Sequence, residues 1–242
     1  EPLHPGNNPS LLMLPEQQAR FVGKHLGPAF QAAAIKTKIL IYDHNADRPD
    51  YPIAVLSDSI AYPYIDGSAF HLYGGEISAL SAVHQAFPEK HIYFTEQWTG
   101  APGNMEGDMP WHVKNLLIGA PRNWAKTVLE WNITSNPELK PHTDRGGCER
   151  CLGAVTVAGD SVIRNPAYYV IAHASKFVEP GSVRVDSNEL EGLANVAFLR
   201  PDGKKVVIAL NDSHKPISFQ IVDKEKVFYA DLNPGATGTW IW

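Results

Sequence analysis

The apolar positions change period along the chain, and each change marks an element. Between about Glu16 and Ala34, the residues Phe21, Val22, Leu26, Phe30 and Ala33 recur at the helical spacing. Pro15 stands at the start of this run, where a missing N–H is tolerated. Lys38 to Tyr42 is a compact apolar strand ending at Asp43, and Gly67 to Leu72 is a second. Ile77, Leu80, Val83 and Phe87 then return to the helical period. His91 to Phe94 is a third strand, ending at Thr95-Glu96. Trp111 to about Gly119 reads as helix, and Val128 to Trp131 as a fourth strand. Short, continuously apolar strands alternating with helices predict a parallel sheet buried on both faces. A polar residue closes each strand: Asp43, His71, Glu96 and Asn132. In a (β/α)8 barrel such positions face the C-terminal rim, where the chemistry is housed.

Beyond about residue 150 the period of two takes over. Asn165-Pro166 followed by Ala167 to Phe177 is the clear helix of this part. Ala194, Val196 and Phe198 alternate before a Pro201-Asp202-Gly203 turn, and Val206, Ile208 and Leu210 alternate after it. Ile217, Phe219 and Ile221 repeat the pattern, and Trp240 and Trp242 close it. The expected architecture is therefore α/β followed by all-β: part of a TIM barrel over residues 1–145 and a β-sandwich over residues 146–242. A complete barrel takes about 250 residues. The barrel-like part is far shorter, so we expect its other half on another piece of chain.

Composition narrows the classes. Hydrophobic residues make up 44% and charged residues 19%, which excludes a disordered chain. A net charge of −5 argues against a protein that tracks nucleic-acid phosphates. No apolar run is long enough to span a bilayer. The opening Glu1-Pro2-Leu3 has neither an initiator Met nor a leader and reads as processed or incomplete. We expect a secreted or periplasmic protein whose leader is not in this chain.

The sharpest candidate for chemistry is Thr95-Glu96-Gln97-Trp98-Thr99-Gly100. A carboxylate at a strand end, followed by an aromatic and a glycine, suits a sugar site: the carboxylate can attack an anomeric carbon, and the aromatic offers a flat face to sugar C–H groups. A surface glutamate in a loop is the alternative. Glycoside cleavage needs a second carboxylate; Glu1 is a candidate, although taken alone it reads as a frayed chain end. Cys148 and Cys151 are half of a zinc pattern, with His142 alone nearby, so a local disulfide or two free thiols is expected rather than a metal. The histidines are scattered without an H-E-x-x-H pattern. We expect neither metal nor cofactor.

These segments resemble, in order along nearly the whole chain, glycoside hydrolase family thirty, which includes glucosylceramidases and microbial endo-β-1,6-glucanases. Glu1 to Pro9 resembles the segment after the fourth barrel strand, Asn-Glu-Pro in the family, although this chain begins at the Glu. Leu40 to Asn45, Ala69 to Tyr73, Phe94-Thr95-Glu96 and Glu130-Trp131-Asn132 are similar to the fifth to eighth strands, which implies the C-terminal part of the barrel and an N-terminal polypeptide that completes it. His173 to Gly181 resembles the helix that leads into the family's sandwich, and Pro201-Asp202-Gly203 and Thr239 to Trp242 resemble hairpin and terminal-strand segments of that sandwich. Gly6 to Pro9 and Pro141 to Cys151 look more like the glucanase branch.

The resemblance implies a retaining hydrolase of β-linked glucosides, most specifically an endo-β-1,6-glucanase. Glu96 would be the nucleophile and Glu1 the general acid/base. His71, Tyr73, Trp98, Trp131, Asn132 and Asp43 would contact substrate. The aromatics can also be read as packed residues of the rim, and Asp43 and His44 as satisfied strand ends. The competing expectations are a glucosylceramidase or β-glucosidase activity, or an inactive fragment or carbohydrate-binding remnant.

Overall fold

The computed structural model describes residues 1–6, 11–144 and 147–242. Asn7 to Pro9 and Arg145-Gly146, which carried part of the glucanase resemblance, lie outside the described residues. The chain forms two compact units. One comprises Glu1–Trp98, Asn123–Trp131 and Leu139–Cys151; the other comprises Thr99–Arg122, Asn132–Glu138 and Leu152–Trp242.

The first unit is built on a parallel sheet of four strands, β1 (Ile39–Ala46), β2 (Ile65–Gly75), β3 (His91–Glu96) and β4 (Ala125–Val128), adjacent in that order. Ile41, Tyr42, Phe70, Ile92 and Phe94 are fully buried in it, as the continuous apolar runs require. Helices Asp50–Leu56 and Ala79–Ala86 connect its first three strands, as βαβ units do. Gly67 is obligatory, because a Cβ there would meet the His91 carbonyl oxygen at 2.1 Å.

Local departures have local causes. The first helix is interrupted: Pro15–Phe21 passes through a π turn, Val22–Leu26, into Gly27–Ala32. Pro28 has no N–H to return to the preceding turn, and the π turn absorbs the gap. The fourth strand lies earlier than its apolar run suggested, at Ala125–Val128, and Trp131 makes only an isolated bridge to Trp98. β1 and β2 do not end at Asp43 and His71 but run past them to Ala46 and Gly75.

The second unit holds three antiparallel systems, a helical segment and the helix Pro166–Ser175. β5 (Val155–Ala158) and β6 (Ser161–Arg164) form one hairpin. Strands β7 (Val183–Val185), β8 (Leu193–Leu199), β9 (Lys205–Asn211) and β12 (Thr237–Ile241) form an antiparallel sheet, and β10 (Ile217–Asp223) pairs with β11 (Lys226–Leu232). Leu193, Ala209 and Leu232 form a small core with Ile217, Phe219 and Trp240 packed against it. Helix Met105–His112 continues through a π-helical stretch, Val113–Gly119, to Ala120–Arg122, again just before a proline, Pro121. Arg122 pins this helix to the sheet through the Asn195 carbonyl at 2.6 Å and Ser187 at 2.9 Å.

Candidate active site

Two register shifts in the first unit assemble a polar cluster. Along β1 and β2, Tyr42 pairs with Ala69 but His44 pairs with Phe70, so Asp43 is an extra residue bulged out of the ladder. Tyr42 and Asp43 accordingly lie in the left-handed region, at φ 73° and 59°. This costs energy for a bulky residue and must be held by its surroundings. Tyr42 supplies the anchor: its N–H donates to Gln18 Oε1 at 3.1 Å, and its hydroxyl donates to the Asn45 carbonyl at 2.6 Å. Between β2 and β3, Phe70 pairs with Phe94 but His71 pairs with Glu96, which leaves Thr95 as the extra residue. The displaced Thr95 hydroxyl donates to Asp43 Oδ1 at 2.7 Å.

The outcome is a convergence. Asp43 Oδ1 lies 3.2 Å from Nε2 of His71, which is buried. Nδ1 of the same ring faces two carboxylates, Glu1 Oε1 at 3.6 Å and Glu96 Oε1 at 4.0 Å. The two glutamate oxygens therefore cannot be farther apart than those distances laid end to end. That range takes in the roughly 5–5.5 Å of a retaining pair and the lower end, about 6.5 Å, of an inverting one. Tyr73 donates its phenol hydrogen to Glu96 Oε1 at 3.0 Å, and its own N–H donates to Asn45 Oδ1 at 3.1 Å. His44 Nδ1 is also 3.6 Å from Glu1 Oε1, and the His4 ring lies against His44 with centroids 4.1 Å apart.

The electrostatics suit these partners. The hydrogen bond from His71, joined by that from Thr95, holds Asp43 below the usual carboxylate range. Burial first, and the negative charge of Glu96 next, push the Tyr73 phenol up, so it remains a donor. Burial lowers His44 to about 4, helped by the His4 imidazole. Such a site can present one carboxylate as a nucleophile and another as a proton carrier around a bound acetal carbon.

Residues 6–178 match the glycosyl hydrolase family 30 TIM-barrel domain, and residues 181–240 match the glycosyl hydrolase family 30 beta sandwich domain. The chain belongs to glycosyl hydrolase family 30. An endo-1,6-beta-D-glucanase of Aspergillus fumigatus is 31% identical over 96% of this chain and 48% of its own length. The lysosomal acid glucosylceramidase of Mus musculus is 30% identical over 94% of this chain and 47% of its own. A solved endo-beta-1,6-glucanase superposes with a TM-score of 0.92 at 34% identity, covering 100% of this chain and 57% of that one. The chain thus spans about half the length of the curated relatives it matches. The expected architecture, the C-terminal part of a TIM barrel followed by a β-sandwich, is that of family 30.

Of the residues singled out from the sequence, Glu1, Asp43, His71, Tyr73 and Glu96 are brought together. Trp98 and Trp131 are neighbours through their bridge, and Trp131 is exposed. Asn132 falls in the second unit, where its carbonyl accepts from Ala154 N–H at 2.8 Å. Thr95 and Asn45 had no signal of their own, because their parts depend on the two bulges. Cys148 and Cys151 are joined in a disulfide. No helix among the described residues is long and apolar enough to cross a membrane.

Proposed function

We propose that the protein carrying this chain is a retaining glycosidase of β-linked glucosides, and specifically an endo-β-1,6-glucanase. The observation that carries this reading is the convergence of Glu1 and Glu96 on one imidazole nitrogen, His71 Nδ1. Glu96, hydrogen-bonded by Tyr73, attacks the anomeric carbon. Glu1 gives its proton to the leaving oxygen and then takes one from water. Trp98 and Trp131 are read as sugar platforms, and Asp43, His71 and Asn132 as contacts to substrate. The linkage is supported by the named glucanases at 31% and 34% identity. Cleavage of a glucosylceramide-like substrate is the second reading, favoured by the 30% identical mouse relative.

Four parallel strands leave β1 and β4 as open edges within the unit, so the activity is proposed to depend on the further strands of a complete barrel, supplied in continuous chain or by a partner polypeptide. The disulfide supports an oxidising compartment, secreted or periplasmic.

The test is hydrolysis of a β-1,6-glucan oligomer against a glucosylceramide analogue, with the anomer of the first product followed by NMR. Release of the β-anomer from the glucan supports the reading. Release of the α-anomer overturns the retaining mechanism, and turnover of the lipid alone overturns the linkage. A Glu96→Gln protein as active as the wild type overturns the nucleophile.

A further inference from the structure

The sequence offers no metal motif, yet the fold draws two of its scattered histidines, His44 and His71, to one carboxylate. Each of Glu1, His44 and His71 offers one ligand atom, and these atoms all lie within 4.8 Å of one another. The two imidazole nitrogens that face Glu1 Oε1 are both Nδ1, each at 3.6 Å. Both rings are buried. His44 Nδ1 and Nε2 and His71 Nδ1 have no hydrogen-bond partner among the described residues. Buried polar atoms are ordinarily satisfied, and two orphaned Nδ1 atoms facing one carboxylate oxygen call for a ligand.

The chemistry of the set is selective. Two neutral imidazoles and one carboxylate suit zinc and its neighbours among the divalent transition ions, not magnesium or calcium, which prefer oxygen. A tetrahedral zinc with bonds of about 2.0–2.1 Å spaces its ligand atoms about 3.3–3.4 Å apart. The 3.6 Å separations here are close to that. The outer partner is also in place. Asp43 accepts from Nε2–H of His71, which leaves the lone pair on Nδ1, directed at Glu1. A carboxylate behind a ligating histidine is the usual way to fix its tautomer and raise its basicity.

We propose that Glu1, His44 and His71 form a binding site for a divalent transition ion of the zinc type, and that filling it stops hydrolysis by taking Glu1 out of proton transfer. The inhibition rests on the acid/base reading of Glu1; the binding does not. The ion needs Glu1 as a carboxylate and Nδ1 of each histidine unprotonated, so binding displaces whatever protons those atoms hold. Proton donation then ends for as long as the ion stays.

The experiment titrates Co2+ into the purified protein, follows its visible d–d absorption, and repeats the titration with Zn2+ by calorimetry. Binding in one-to-one stoichiometry is expected. Asp43→Asn should weaken it about 10- to 100-fold, the usual cost of removing such an outer partner. Asparagine tolerates the left-handed backbone at this exposed position, so this variant should retain the fold. His44→Gln, checked for folding by circular dichroism, should weaken binding at least about tenfold, and His214→Gln, at an exposed histidine elsewhere, should leave it unchanged. Saturating Zn2+ should lower turnover of the glucan by at least about a hundredfold, reversibly with EDTA. Absent binding, or binding indifferent to both Asp43→Asn and His44→Gln, overturns the site. Binding that depends on both residues but leaves hydrolysis intact keeps the site and overturns Glu1 as the proton donor.

Discussion

His71 stands opposite Glu96 across β2 and β3, one residue out of the register that Ser68 to Phe70 keep with Ile92 to Phe94. Without that slip the imidazole would pair with Thr95, and the carboxylate would project from the opposite face of the sheet. The slip gives the candidate site its chemistry, and several of its consequences can be measured.

Removing the proposed nucleophile, by Glu96→Gln, should lower kcat by about a thousandfold or more, since covalent catalysis then has no acceptor for the sugar. A fluorinated activated glucoside that traps the glycosyl-enzyme should add its mass to the peptide containing Glu96, and to no other. Labelling elsewhere counts against the assignment.

Tyr73→Phe removes the phenol that donates to Glu96 at 3.0 Å. A hydrogen bond to a charged group contributes about 1.5–3 kcal/mol, so kcat/KM should fall roughly 10- to 100-fold. Steady-state kinetics with Glu96 intact reads this directly, and an unchanged kcat/KM denies Tyr73 its part.

His44 gives a pH signature. Its folded pKa is lowered from 6.5 to about 4, chiefly by burial. Between those values the unfolded chain binds a proton that the folded protein does not, so stability rises with pH across the window and is lost as pH falls from 6.5 toward 4. Urea midpoints should decline over that interval and decline less in His44→Gln. Parallel declines in the two proteins would assign the acid sensitivity to other groups.

Gly67→Ala should destabilise the first unit. The new Cβ would stand 2.1 Å from a backbone oxygen of β3, and neither strand can yield without loosening their ladder. A loss of about 1–3 kcal/mol is expected from such overpacking, read as a lower urea midpoint.

Reducing the bond between Cys148 and Cys151 should lower the melting temperature by several degrees without unfolding the protein. The pair are three positions apart, and closing so short a loop removes about 2 kcal/mol of chain entropy by the loop-closure relation, less than a long loop would. Thermal melts with and without reductant compare the two states, and a collapse of the melt on reduction would contradict this.

Much of the fold was legible because burial leaves a period in the sequence. The continuous runs of β2 and β3 and the alternation of β8, β9 and β10 predicted strands where the structure has them. Helix Asp50–Leu56 and the hairpin of β5 and β6 were missed: the first is a short run around Pro52, and the second has four-residue strands, of which β6 is exposed throughout and β5 buries only the polar Thr156, so neither carries a strong period. β4 was placed late because Leu129 and Trp131 are apolar yet exposed. An apolar side chain marks a strand only when it is buried.

By itself the sequence determined the alternation of elements, the change to β-structure in the second half, and Glu96 as the carboxylate to examine. Those depend on hydrophobic period and local chemistry, both written residue by residue. Tertiary structure alone decided which groups meet. Asp43, His71 and Glu96 come from three different strands, and their partnership turns on two bulges that no local pattern encodes. A bulge is held by contacts from elsewhere, here by Gln18 on the backbone of Tyr42, 24 residues away.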